Sequence, residues 1–184
     1  DLPKAFVCLG GETLLLRAVE RLDRLGVAPI IAVLPPEPDP IALPPGLIVV
    51  RNHDVDTGQL GSTCLGLQAC PDDLDAVVVY PVDHHAVTDA DLAALLEGLD
   101  HASPSVARIV PRWGGRGGHP ILLLSPALRE LRQVSDPVAT TLREVLDRAG
   151  AVHPVQATSS GVRRNLNTPV DLPADAGSLA SEAQ

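Results

Sequence analysis

Apolar runs of strand length alternate with amphipathic runs of helix length along almost the whole chain, and this alternation most constrains the fold. Segment 11–26 places Leu14, Leu15, Ala18, Val19, Leu22 and Leu25 at helical spacing, with Arg17, Glu20, Arg21 and Arg24 opposite. It predicts a helix with Glu12 or Thr13 in its first turn and Gly26 as its stop. Segments 30–34, 47–50, 75–80, 105–110, 120–124 and 151–156 predict strands. Helices are predicted over 61–70 and 88–99, the second with Thr88 and Asp91 as a capping box. A short helix opens at Ser125, and a longer one, capped by Ser135 or Asp136, ends before Gly150. Six prolines between positions 35 and 45 make that segment a surface loop. Strands this continuously apolar are buried on both faces, so the expected architecture is α/β: an open, mostly parallel sheet with helices on both faces. One domain over residues 1–172 and a disordered Ala/Ser/Asp-rich tail over 173–184 are expected.

Composition removes several classes of function. The 184 residues carry 14 Lys+Arg against 23 Asp+Glu, a net charge of −9, so a nucleic acid backbone is not the expected partner. No apolar run reaches transmembrane length, and no Cys or His pair has zinc spacing. Cys8, Cys64 and Cys70 lie in or beside apolar runs and read as small core residues of a reducing, cytoplasmic protein. Phe6, Tyr80 and Trp113 are the only aromatic residues, so the core is aliphatic. Methionine is absent, so Asp1 need not be the native start. The Gly-x-Ser-x-Gly elbow, the phosphate-binding P-loop and the dinucleotide fingerprint are all missing from these residues.

In open α/β sheets ligands lie at the carboxyl ends of the strands, which directs attention to Arg51 and Asn52, to residues 81–85 and to residues 111–119, and motifs add two further places. Lys4 precedes a short apolar segment and the Gly10–Gly11 turn, an arrangement that suits a polyphosphate and equally a solvated lysine. Asp83 follows the most buried-looking strand, where it can hold Mg²⁺ or start the turn into the next helix. His84 and His85 beside it suggest a transition metal, although neighbours on an extended segment point apart. Arg116, in the Gly-rich stretch 114–118, and His119 after it suit an anion, or else form a plain hairpin. Asn165 and Asn167, ahead of Thr168-Pro169, bind a ligand or form a turn into a helix.

Taken in order, PKAF, LGGETLL, TGQLGSTCLGLQA, VVYPVDHHAVT, GGRGGHPILL and NLNTPVDL resemble the molybdenum cofactor nucleotidyltransferases, most of all their cytidylyltransferase-like branch. The resemblance spans residues 2–172. It implies a Rossmann-like glycosyltransferase-type fold and Mg²⁺-dependent transfer of a nucleoside monophosphate from CTP or GTP, CTP favoured. The acceptor is a small phosphorylated molecule such as molybdopterin, and pyrophosphate is released. By the same resemblance Lys4 contacts the triphosphate, and Ser62 lies by the base, with Asn52 and Gly58 also on the nucleotide side. Asp83 holds the metal assisted by Asn167, and His119, Arg116 and His84 face the acceptor. Relatives carry a strand and a Gly-rich loop directly before the Pro-Lys pair. Such residues are expected in the native protein, because a sheet without that strand exposes a wide apolar gap. A sugar or polyol phosphate acceptor, or a non-catalytic nucleotide-binding module, are the rival expectations. Apolar edge strands leave room for a homodimer.

Overall fold

A computed structural model describes residues 2–36, 39 and 41–166. The chain opens with a single 3₁₀ turn at Lys4–Phe6, then a two-residue hairpin of β1 (Cys8–Leu9) and β2 (Glu12–Thr13). Gly10 and Gly11, at φ 57° and 85°, make its turn, a conformation that side-chain-bearing residues resist. Helix α1 (Leu14–Arg24) follows, with the Thr13 hydroxyl accepting from the Leu16 amide. Strands β3 (Ile31–Leu34) and β4 (Ile48–Arg51) form a parallel pair around the proline-rich loop. Helix α2 (Gly58–Gln68) starts directly after a 3₁₀ turn at Val55–Thr57 and three residues earlier than the sequence pattern suggests.

The five-stranded sheet holds β5 (Ala76–Val79), β6 (Val106–Trp113), β7 (Arg116–Gly117), β8 (Ile121–Leu124) and β9 (Ala151–Gln156). Its order is β5-β8-β6-β7, with β9 beside β6. Strand β8 runs antiparallel to β5 and β6, while β6 and β9 are parallel, so β5, β6 and β9 share one direction. Helices α3 (Asp89–Glu97), α4 (Ser125–Arg132) and α5 (Leu142–Ala149) complete the fold. The architecture is the expected α/β sheet with helices on both faces.

Period-two alternation shows how β8 sorts the core. Ile121 and Leu123 pack with Leu60, Leu128 and Leu146 of α2, α4 and α5. Leu122 and Leu124 pack on the other face with Leu95 of α3. All four β8 residues are buried, as a strand covered on both faces requires. Both arms of the Thr88–Asp91 capping box form at α3. At α5 the expected cap is corrected. Thr141 and Glu144 make the box, because Thr-x-x-Glu sits directly before the apolar run. Asp136 instead accepts from the amides of Val138 and Ala139 in the preceding turn.

Strands β3 and β5 belong to separate sheets, and between them lies a cavity of about 570 Å³. Helix α1 contributes Leu15, Ala18 and Leu22 to its walls, and α2 contributes Gly66 and Leu67. Every residue of β5, the most buried-looking strand by sequence, is corrected to half-buried, because all four line that cavity. Asn167, Thr168, Pro169 and the 173–184 tail lie outside the described residues.

Candidate active site

Pro81 ends β5, and the Pro81–His84 turn carries Asp83 away from the sheet. The His84 amide closes that turn on the Pro81 carbonyl at 3.0 Å. The Leu166 amide, far along the chain, donates to the Asp83 carbonyl at 3.0 Å. The Asp83 side chain accepts from Lys4 Nζ at 3.0 Å. Lys4 is held there by its neighbours: Ala5 and Phe6 are buried with Leu15, Ala32 and Leu34, and Val82 packs against the same cluster. One small core therefore fixes both ends of the Lys4–Asp83 pair.

His84 and His119 meet beside it, ring centroids 4.9 Å apart and tilted by 52°. Only 7 % of His84 is exposed. Burial first, and the neighbouring His119 second, push its pKa down to about 4, so it is neutral near pH 7. Burial lowers His85 and His119 as well. The Nδ1 atoms of all three have no hydrogen-bond partner among the described residues. The His119 amide donates to the Val162 carbonyl at 2.8 Å. Gly118 allows that approach, since a Cβ there would overlap the Val162 carbonyl.

The nucleotide candidates gather at the start of α2. Asn52 Nδ2 donates to Ser62 Oγ at 3.1 Å and Thr57 Oγ1 at 3.4 Å, and its Oδ1 accepts from the Asp54 amide at 2.9 Å. Asn52 is buried, and these bonds occupy its amide, so it braces the loop from within. Gly58, at φ 58°, opens the helix on the same side. Ser62 and Val82 both line the cavity, so its walls reach from the start of α2 to the Asp83 turn. Among the described residues no charged side chain lines that cavity, and Gln59, Ser62, Thr63 and Tyr80 are its polar lining. Arg116 stands exposed in β7, paired with Trp113 across the hairpin.

The sequence matches the MobA-like NTP transferase domain over residues 1–155. The chain belongs to this family. It is a nucleotidyltransferase. Solved structures of similar shape include Rv0371c from Mycobacterium tuberculosis H37Rv, 17% identical, TM-score 0.72, with 92% of this chain and 86% of that one covered. The 2-C-methyl-D-erythritol 4-phosphate cytidylyltransferase from Thermus thermophilus is 18% identical at TM-score 0.65, covering 93% and 91%. A nucleotidyl transferase from Methanothermobacter is 22% identical at TM-score 0.67, covering 91% and 81%. Rv0371c is also known as a complex with manganese. At these identities the likeness is one of fold. No curated protein matches in sequence.

The MobA-like domain also uses residues that sequence patterns hide. Asp91 is 1 % exposed, yet it is ionised. Burial alone would raise its pKa. Hydrogen bonds from Ser159, Thr88 and Thr158 outweigh that and hold it at about 2. It thereby clips the start of α3 to residues 158–159. The segment beyond that clip contacts both site turns, through Val162 to His119 and Leu166 to Asp83. Thr88-x-x-Asp91 signals the cap, but nothing in the sequence signals partners 67 and 68 residues away.

Proposed function

We propose that this domain transfers a nucleoside monophosphate from CTP to a small phosphorylated acceptor such as molybdopterin, in the presence of Mg²⁺. The observation that carries this reading is the Lys4–Asp83 pair at the carboxyl end of β5, with the neutral His84–His119 pair beside it. An oxygen of the acceptor phosphate attacks the α-phosphorus. The bond from that phosphorus to the bridging oxygen of pyrophosphate breaks, and pyrophosphate leaves with the electron pair. Such a transfer needs positioning and charge neutralisation more than a nucleophilic side chain. Lys4 supplies a cation for the triphosphate, and two uncharged histidines offer the acceptor hydrogen bonds without neutralising its phosphate.

The donor set suits Mg²⁺. Among the described residues no three His, Cys, Asp or Glu side chains form a closed metal cage. Mg²⁺ takes one or two carboxylates and completes its shell with phosphates and water. Asp83 would hold it, assisted by Asn167, and when bound it neutralises developing charge on the phosphates. Lys4 then has two roles, pairing with Asp83 and meeting the triphosphate.

A second reading keeps the donor and changes the acceptor to a sugar or polyol phosphate. The shape likeness to a 2-C-methyl-D-erythritol 4-phosphate cytidylyltransferase favours it. Pyrophosphate release, measured with CTP and GTP against molybdopterin and a panel of polyol phosphates, separates the two. Turnover with molybdopterin alone supports the first reading, turnover with a polyol phosphate alone the second, and release from neither sinks both.

A further inference from the structure

We propose that Tyr80 is a positioning residue, whose hydroxyl, oriented by Arg21, locks the turn that aims Asp83. This rests on the proposed role of Asp83 in holding the metal. Tyr80 is the chain's only tyrosine and stands directly before Pro81. Its hydroxyl donates to the His84 carbonyl at 3.2 Å, across the turn that contains Asp83. The same oxygen accepts from Arg21 Nη1 at 3.2 Å. Arg21 is itself held by Asp89, whose Oδ1 accepts from its Nε at 2.9 Å. Arg24 donates to that carboxylate too. A chain of bonds thus runs from the first residue of α3 through α1 to the backbone of the turn.

The arrangement is more than core packing. The ring packs against the cluster of Val87, Leu92, Ala157 and Val162, which a phenylalanine would fill equally well. A hydroxyl brought out of water costs free energy unless its bonds are made, and here both donor and acceptor sides are used. What they fix is one carbonyl of a four-residue turn. The preceding carbonyl, that of Asp83, is held by the Leu166 amide. Two neighbouring peptide planes are therefore each held by a distant residue, and the Asp83 side chain beside them pairs with Lys4. Without the hydroxyl the His84 carbonyl keeps only the Val87 amide at 3.3 Å, so the turn loosens, and misplacement by about 1 Å is enough to slow a transfer about 100-fold.

The test uses Tyr80→Phe, Arg21→Gln and the double variant in the full chain, with Asp83→Asn as reference. Each is assayed for kcat and nucleotide KM, and for binding of Mn²⁺ alone by water-proton relaxation. Tyr80→Phe is expected to lower kcat about 10- to 100-fold and weaken Mn²⁺ binding, with nucleotide KM little changed. Arg21→Gln should do the same in part, and the double variant should be no worse than Tyr80→Phe, because both act through one hydroxyl. Unchanged kcat and Mn²⁺ binding in Tyr80→Phe, or losses that add in the double variant, overturn the proposal. Undiminished turnover and Mn²⁺ binding in Asp83→Asn overturn the reading of Asp83 instead. Amide hydrogen exchange at His84 and Leu166 then decides the turn lock: faster exchange in Tyr80→Phe upholds it, and unchanged exchange ends it.

Discussion

Lys4 Nζ lies 3.0 Å from Asp83 Oδ2, joining two residues 79 apart in sequence. The Lys4 side chain is 47% exposed and that of Asp83 20%, so the pair adds less than about 1 kcal/mol to stability. On the proposed reading its value lies in placing opposite charges where a metal and a triphosphate would meet. Asp83→Asn should therefore lower nucleotidyl transfer at least about 100-fold while shifting the urea midpoint little. Lys4→Ala should raise the KM for the nucleotide more than it lowers kcat. Pyrophosphate release and urea unfolding, run on the same preparations, check both. Full turnover in Asp83→Asn would remove this carboxylate from the site.

Two glycines let the segment after β9 approach the site turns. A Cβ on Gly118 would overlap the Val162 carbonyl, and one on Gly161 would overlap the carbonyl of Ala86. Both obstacles are backbone, which cannot swing aside as a flexible side chain can. Gly118→Ala and Gly161→Ala should each cost about 1–3 kcal/mol, read as a lower urea midpoint at unchanged slope. Gly114→Ala is the contrast. It has open space around the added methyl, so its only penalty is the positive φ of 57°. A Gly118→Ala protein as stable as Gly114→Ala would show that the Val162 carbonyl can give way.

Local pattern made much of this fold legible and left the contacts between distant segments out of reach. The helix over Leu14–Arg24, the capping box at Thr88 and strands such as Ile121–Leu124 follow from periodicity and end chemistry, which act within a few residues. Thr141 displaced Ser135 and Asp136 as the α5 cap because a cap is decided by which candidate also has its Glu three residues on. Position after strands marked Asp83, His84 and His119, and the Gly10–Gly11 turn marked Lys4; Lys4 pairs with Asp83 and His84 with His119. Asn52 also stands at a strand end, but its amide turns inward to Ser62 and Asp54, a choice set by three-dimensional packing. The bonds of Tyr80 to Arg21 and of Asp91 to Ser159 span 59 and 68 residues, and no local rule encodes them.

Asp91 accepts from both the backbone and the hydroxyl of Thr88 and Thr158, and from both in Ser159. Asn at this position would turn an amide N–H₂ toward groups that already donate. Asp91→Asn should destabilise the protein by about 3 kcal/mol. The pH dependence follows from the depressed pKa. Between the ordinary 3.8 and about 2 the unfolded chain binds a proton that the folded one does not. The stabilisation from Asp91 is thus complete above about pH 4 and fades as pH falls toward 2. Urea midpoints measured down that range should fall steeply in the native protein and less so in Asp91→Asn. Parallel curves for the two would show that this carboxylate is not the titrating group.

His84 acts in a higher pH window and with the opposite electrostatics. It is neutral when folded, with a pKa of about 4 against 6.5 in the unfolded chain. Between those values the unfolded state again holds the extra proton, so stability falls as pH drops from 6.5 toward 4. Protonation would place a cation in a buried site against His119, where burial opposes charge on both rings. His84→Gln removes the titration and should flatten the loss of stability between about pH 7 and pH 5 without abolishing it. His85 and His119, also lowered, contribute in the same direction. The check is a pair of urea titrations at the two pH values, native beside variant. If the native protein is equally stable at both, His84 carries an ordinary pKa, and its packing against His119 does not keep it neutral.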